Sequence, residues 1–470
     1  MRQLDENYDV IIVGAGPAGI FSILELLNNE KNSYNILILE KGNNIDKRKC
    51  PMRDHRVSCQ KCKPCSLLSG WGGAGAFSDG KLNLTSSVGG NLSDFISEEE
   101  LSRLIDYVDD YFIRFGADKN IFEANRQEVE LINKEAEKAG LKFIPTKIRH
   151  LGTENCFIIL KNIHDYLKKN TRISIQTSTE VDEIIEEDGH VKGVITRDGR
   201  TFVAEYVILS PGRSGAEWLV DLAKNLKLKI FNNPVDVGIR VELPANILER
   251  LTRSFYELKL VFNSNLFNDK VRTFCMCPNG EVVMEFNNGI TTVNGHSYRE
   301  HKTENTNFAL LVSTNFTEPF KEPIAYGKYI ANLANLLSGD VLVQRLGDLI
   351  SGRRSTKERI NNSLLMPTLK SATPGDLSFV FPYRILNDII EMLKALDRIA
   401  PGVYHKQTLL YGVEVKFYSV RLELSENLET KIKNLFAIGD GAGITRGLVQ
   451  ASVSGVIAAK EIKKRMSKNC

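Results

Sequence analysis

Four cysteines, Cys50, Cys59, Cys62 and Cys65, follow the spacing C-x8-C-x2-C-x2-C. Three thiolates in a C-x2-C-x2-C run converge on one face of a small cube, and a fourth from a nearby loop closes a [4Fe-4S] cluster. Structural zinc is the alternative, although zinc more often takes two separated C-x2-C hairpins; reduced or disulfide-forming thiols are the third reading. Lys61 and Lys63 favour thiolates and offset the charge of a cluster. His55 lies in the same loop, but four cysteines already complete a ligand set. Cys275 and Cys277 stand two apart on an expected strand, so their side chains share a face. They are the candidates for catalytic thiols, as a redox pair or as the lining of a substrate cavity, against the plainer reading of two small buried side chains. Cys156 and Cys470 carry no case for function. Arg353 and Arg354 could clamp a carboxylate or phosphate, or simply form a solvated face. No side chain can be named as general acid or base.

A second chemistry lies in Gly14-Ala15-Gly16-Pro17-Ala18-Gly19. Gly14 permits a tight turn, Gly16 lets a pyrophosphate approach the backbone, and Gly19 lets helix and sheet pack closely, while the helix start turns free N–H groups toward the phosphates. Glu40 comes 21 positions after Gly19, followed by Lys41, where an acid can accept hydrogen bonds from a ribose diol. The fingerprint alone does not choose between NAD and FAD. With its strand and helix it occurs complete once, so no second fold is reserved for NAD(P)H, which could still bind transiently as a donor.

The elements that must position these groups follow from periodicity. Tyr8–Val13 reads as a buried strand, Ile20–Asn29 as a helix and Asn35–Leu39 as a second strand, which together make a βαβ unit. The stretch 50–85 is rich in Cys, Gly, Ser and Lys and has too few periodic apolar positions for a regular element. Something other than a core must hold it. Leu101, Leu104, Ile105, Val108 and Phe112 recur at helical spacing behind a Ser97/Glu100 capping box, so 97–139 reads as helical. Ile173–Leu209 reads as a β-meander turning at Asp188-Gly189 and Asp198-Gly199. Beyond Asn233, strand-like runs at Val235–Val241 and Glu281–Phe286 mix with helical ones at Ala325–Leu337 and Ile385–Leu396. Leu435–Ile438 is again strand-like, and Leu448–Lys464 is a small-residue helix.

Several motifs resemble known flavoproteins. Asn434-Leu435-Phe436-Ala437-Ile438-Gly439-Asp440-Gly441-Ala442 resembles the C-terminal signature of the two-dinucleotide-fold flavoproteins. That resemblance implies that Gly439 and Asp440 meet the ribityl or pyrophosphate side of FAD, and that the following helix faces the flavin. Thr179-Glu180-Val181 resembles the strand whose backbone amide, here that of Val181, reads adenine; Ser210-Pro211-Gly212 resembles the superfamily's sheet-exit motif. More closely, the runs Gly70 to Leu82, Phe274 to Pro278, Gly375 to Ser378 and Gly412-Val413-Glu414 resemble a family of poorly characterised bacterial FAD-dependent dehydrogenases of the NAD(FAD)-utilising type, over nearly the whole chain. The chain departs from that pattern at Val415-Lys416-Phe417-Tyr418-Ser419, where the family carries Arg and a Ser-Pro step. Losing a planar bidentate donor puts an anion or flavin contact there in doubt. The glycines around Gly72 and Gly73 suit a backbone loop passing close to a pyrophosphate.

Composition sets the class. The chain has 470 residues, 42% hydrophobic and 25% charged, with a net charge of +3: the mix of a globular enzyme, with no electrostatic case for a nucleic-acid or membrane partner. Met1–Tyr8 lacks the pattern of an export signal and no apolar run approaches the ~20 residues of a membrane span, so a cytoplasmic location is expected. The fold expected is α/β: a Rossmann-like, glutathione-reductase-like FAD-binding domain in three parts (1–96 with the cysteine loop, 166–232 with the meander, and 406–470), a helical insertion over 97–165 and an α+β substrate domain over 233–405. The activity expected is an FAD-dependent oxidoreductase passing hydride or electrons to a small-molecule redox substrate, with an electron-donor protein as a further partner. The rivals are an electron carrier without such a substrate and a flavin-dependent RNA-modifying protein.

Overall fold

Val10–Val13 carries apolar residues without alternation, as a strand covered on both faces requires. In the computed structural model it lies in the middle of a seven-stranded mixed sheet. Residues 4–28, 34–55, 60, 62–287, 289–298, 301–314, 322–416 and 420–468 are described; Cys59, Lys61, Phe417, Tyr418, Ser419 and Cys470, and the His55 side chain, lie outside them. The chain divides into two units, Met1–Lys119 with Arg149–Asn233 and Tyr418–Cys470, and Asn120–Ile148 with Pro234–Phe417.

In the first unit the opening strand Leu4–Val13 pairs in parallel with Ile36–Glu40 on one side and Thr201–Leu209 on the other. Ile173–Thr177 extends the sheet in parallel beyond Ile36–Glu40, and Leu435–Ala437 adds in parallel to Thr201–Leu209. The expected meander is therefore shorter than 173–209: its antiparallel strands are Val181–Glu187, His190–Thr196 and Thr201–Leu209. The helix Pro17–Leu26 starts three residues earlier than its apolar run because proline fits a first helical turn, where no N–H is needed. It packs against the closing helix Leu448–Met466. Gly455 makes this possible, since a Cβ there would stand 2.1 Å from the Ala18 carbonyl oxygen.

Residues 97–165 contribute to both units. Helix Glu98–Arg114, capped by the Ser97 hydroxyl on the Glu100 amide, packs in the first unit. Helix Arg126–Lys138 belongs to the second and has a full capping box at Asn125 and Glu128. The reason is the strand after it: Leu141–Ile144 pairs with Lys259–Asn263 at the edge of the second unit's sheet.

That sheet has eight strands. Leu409–Lys416 sits between Val235–Pro244 and Leu342–Arg345, so 409–416 is part of this unit rather than of the dinucleotide domain expected over 406–470. Along Val235–Pro244, the odd positions from Val235 to Leu243 enter an apolar core with the helices Ala245–Phe255, Pro323–Ser338 and Tyr383–Asp397. The even positions Asp236, Arg240 and Glu242 are equally buried, and the hairpin Glu281–Asn287/Ile290–His296 lies against Arg240. Gly295 allows that approach, as a Cβ there would stand 2.0 Å from Arg240 Nη2. Among the described residues no helix is long and apolar enough to cross a membrane.

Asp388 on the last of these helices is fully buried, and neither carboxyl oxygen has a well-formed hydrogen bond. Burial above all, with Asp269 nearby, pushes its carboxyl up to about 6 from an ordinary 3.8. A raised folded-state value means a contribution to stability that is full below about pH 4 and lost as pH rises through about 6. Asp388→Asn removes that loss. In urea unfolding the variant should exceed the wild type by about 1–2 kcal/mol at neutral pH, and the two should converge at pH 4.

Candidate functional site

In the first unit four loops meet at the C-terminal ends of the parallel strands. Gly14 takes a left-handed φ of +103°, and a Cβ on it would stand 2.2 Å from the Ser210 carbonyl oxygen. The Ser210 hydroxyl donates back to the carbonyls of Gly14 at 2.8 Å and Val13 at 3.0 Å, which fixes the exit of Thr201–Leu209 against the first turn. Gly19 is equally confined, 2.2 Å from the Gly14 carbonyl oxygen in the same test. Gly16 differs. A Cβ there would meet nothing within 4 Å, and Gly16 offers no side-chain cap to the helix it begins. The Ala18 and Gly19 amides, in the first turn, have no helical carbonyl behind them.

Glu40 ends the second strand as expected, 6% exposed. Its carboxylate is already engaged: Oε2 accepts from the Ala15 amide at 2.9 Å, and Oε1 from the Gly42 and Gly70 amides, both at 2.8 Å. Of about four lone-pair directions on a carboxylate, three are taken by backbone from three loops. Glu40 is thus the clamp of the site, with about one acceptor direction to offer a ligand. Beside it Lys41 donates to the Ser214 carbonyl at 3.0 Å. The Thr179 amide donates to the Glu40 carbonyl at 2.9 Å, which sets Val181 two residues on at the start of its strand.

The loop 65–80 is built rather than loose. Trp71 is fully buried, with its indole N–H donating to the Leu160 carbonyl at 3.0 Å. Gly72 donates to the Ala15 carbonyl at 2.8 Å, and a Cβ on Gly73 would stand 3.0 Å from Gly16 Cα. The two glycine loops therefore touch. Arg48 organises the rest, a residue sequence reasoning passed over. Its guanidinium donates to the carbonyls of Ser66 (2.9 Å), Leu67 (3.0 Å), Trp71 (2.6 Å) and Gly73 (2.8 Å). Burial lowers its pKa to about 10, against the pull of Glu40 and then Cys65. An arginine two residues before the first cysteine, at the edge of a segment with no core of its own, was the available signal.

From the far end of the chain, Gly439 and Asp440 come to the same place. A Cβ on Gly439 would stand 3.0 Å from Ala18 Cβ, and one on Gly441 would stand 2.9 Å from Gly212. Asp440 Oδ1 accepts from the Thr445 hydroxyl at 2.7 Å, with Arg213 Nε 3.6 Å from Oδ2. Burial pushes its carboxyl above the ordinary value despite Arg213. Gly212 and Gly447, like Gly16, face open space.

Cys50 and Cys65 are half-buried and Cys62 is exposed; among the described residues their sulfurs are not gathered within 4.8 Å of one another. Cys156 is buried, which pushes its thiol up to about 12. Arg353 is engaged by buried Asp348 at 2.9 Å, a structural pairing rather than an anion clamp. Lys416, where the family resemblance leads one to expect arginine, is buried and paired with Glu414 at 3.0 Å. Its ammonium therefore meets a carboxylate within the second unit, one it shares with Arg240, and Cys275 and Cys277 lie in the same unit.

Residues 234–417 match the family described as "FAD-dependent protein, C-terminal domain-like", and residues 157–227 the one described as "Glucose inhibited division protein A". A protein of Clostridium beijerinckii described as "Uncharacterized protein" is 26% identical, over 96% of this chain and 80% of its own length. Among solved structures the chain is similar to glycine oxidase from Geobacillus kaustophilus (13% identity, 97% of this chain and 95% of that one, TM-score 0.40). It is also similar to formate oxidase from Aspergillus oryzae RIB40 (14% identity, 99% and 100%, TM-score 0.43).

Replacing the organising guanidinium tests its role. Arg48→Met leaves four carbonyls without their donor, and stability should fall by about 3 kcal/mol in urea unfolding, with faster proteolysis between residues 49 and 70. Unchanged stability and cleavage would mean that Arg48 does not hold the loop.

Proposed function

We propose that this chain, which belongs to the broad superfamily of FAD-dependent, two-dinucleotide-fold oxidoreductases, binds FAD across the loops of its first unit and acts on a small-molecule redox substrate. The observation that carries this reading is the contrast among the fingerprint glycines. Gly14 and Gly19 are glycine because the protein's own backbone fills the space, whereas nothing of the protein fills the space over Gly16. A phosphate-bearing ligand is what that vacancy and the uncapped helix start suit.

The residues divide the work. The Ala18 and Gly19 amides hold the pyrophosphate, with Gly16 and Pro17 shaping the turn beneath it. Gly72, Gly73 and Gly212 give it backbone walls that no side chain obstructs. Glu40, through its remaining acceptor direction, takes a ribose hydroxyl, with Lys41 and the Val181 amide on the adenosine side. Gly439 and Asp440 serve the ribityl end, and the uncapped start of Leu448–Met466 favours negative charge near the ring. Bound FAD supplies hydride or single-electron chemistry there. A nicotinamide donor would bind transiently, since the chain offers one fingerprint.

The cysteine loop extends the reading to an iron–sulfur cluster held by Cys50, Cys59, Cys62 and Cys65. All four donors are thiols, and the C-x2-C-x2-C run within them is the spacing of iron–sulfur ligation rather than of two separated zinc hairpins. Such a cluster would carry single electrons to or from an electron-donor protein.

Two measurements test these assignments. Gly16→Ala should fold with stability within about 1 kcal/mol of wild type, yet bind FAD at least about tenfold more weakly by fluorescence titration; Gly19→Ala should instead lose the fold. A folded, colourless wild-type chain that takes up no added FAD defeats the proposal. In anaerobic preparations, iron and acid-labile sulfide should be present, and Cys62→Ser should lose both while keeping FAD. Zinc without sulfide would defeat the electron-relay part alone.

A further inference from the structure

We propose that Cys275 and Cys277 form a redox-active dithiol that exchanges with small disulfides, Arg240 positioning the Cys277 thiolate. The first ground is geometric. On a regular strand, residues i and i+2 are about 6.8 Å apart, too far for their sulfurs to meet without rearrangement. Here the register slips between Phe274 and Cys277 opposite the neighbouring strand, and Cys275 takes a left-handed φ of +45°. A non-glycine residue in that region is held there by its surroundings against its own backbone preference. The two sulfurs lie within 4.8 Å of each other.

The second ground is charge. Arg240 is fully buried. Its Nη2 donates to Cys277 Sγ at 3.3 Å and to the Cys275 carbonyl at 2.5 Å; its Nε donates to Asn307 Oδ1 at 2.8 Å, and its Nη1 lies 3.1 and 3.3 Å from the Glu414 oxygens. Glu414 is also the partner of Lys416. Two cations therefore share one carboxylate, and a thiolate at Cys277 would match the second. Within the second unit Asp236 is paired with Arg272 at 2.6 Å, Glu257 with Lys259, and Glu242 is held by Thr368 and Tyr411, with burial pushing its carboxyl up. Burial works against the charge on Arg240, yet Glu414 and then the two thiols hold it more firmly protonated than an ordinary arginine. Asn307, opposite Cys277 in the strand register and fully buried, keeps its Nδ2 without a hydrogen-bond partner.

Exposure sets the order of events, since Cys275 is half-buried and Cys277 buried. Cys275, having lost its proton to solvent, attacks one sulfur of a disulfide RS–SR; that S–S bond breaks and one RS⁻ leaves. The Cys277 thiolate then attacks the Cys275 sulfur and expels the second RS⁻. A Cys275–Cys277 bond has formed, two electrons have passed to the small disulfide, and the two released thiolates take protons from solvent. None of this rests on flavin binding.

The test uses the full chain, reduced and desalted without oxygen, exposed to oxidised glutathione, alkylated, and mapped through the tryptic peptide that begins at Thr273. The expected result in wild type is that peptide lacking two hydrogens, unalkylated and restored by dithiothreitol. Cys277→Ser should instead retain one glutathione on Cys275. Arg240→Met, where circular dichroism shows it folded, should close the ring about tenfold more slowly, the loss in thiolate that one pKa unit represents. Two alkylated cysteines in the wild-type peptide, or a lasting glutathione adduct on wild-type Cys275, would overturn the proposal; so would ring closure in Arg240→Met at the wild-type rate, for the part assigned to Arg240. If Arg240→Met does not fold, the wild-type and Cys277→Ser peptides decide.

Discussion

A single carboxylate accepting three backbone N–H groups governs the first unit. Glu40 joins the turn at Ala15, its own strand exit at Gly42 and the distant loop at Gly70. Charge-assisted bonds of this kind are stronger than neutral ones and directional, so they determine where three loops can lie relative to one another. The approach of Gly73 to Gly16 follows from that placement.

Arg48 does the complementary work in the same region. The cysteine loop supplies few apolar side chains besides Trp71, and a segment without a core must satisfy its carbonyls some other way. One guanidinium with five donors takes four of them. An acid gathering amides and a base gathering carbonyls, each buried, hold together a stretch that hydrophobic burial alone cannot order. The two charges also act on each other, since Glu40 is among the groups that sustain the charge on Arg48.

The second unit solves a different problem with the same means. Its central strand is apolar on one face and charged on the other, and both faces are covered. Buried ions are costly unless paired, and here Asp236 with Arg272, Glu414 with both Arg240 and Lys416, and Glu242 with Tyr411 and Thr368 form a buried polar layer. Gly295 and the irregular backbone at Cys275 are local adjustments that let the hairpin and the strand end fit over that layer.

Local sterics and periodicity are short-range, and they are what the sequence alone determined. The apolar run ending at Val13, the steric demand at Gly14 and Gly19, the cap at Ser97, the acid after Leu39 and the small-residue helix after Leu448 could each be read from neighbours a few positions away. The partners of buried charges could not. That Glu40 would meet Gly70, that Arg48 would find four carbonyls, and that Lys416 would face Glu414 depends on which loops and strands the chain brings together. Tertiary structure likewise decided that Leu141–Ile144 and Leu409–Lys416 would enter the second sheet and that Cys275 would leave regular strand geometry. Strand pairing and ion pairing join residues far apart in the chain, so no window of sequence contains both halves of the interaction.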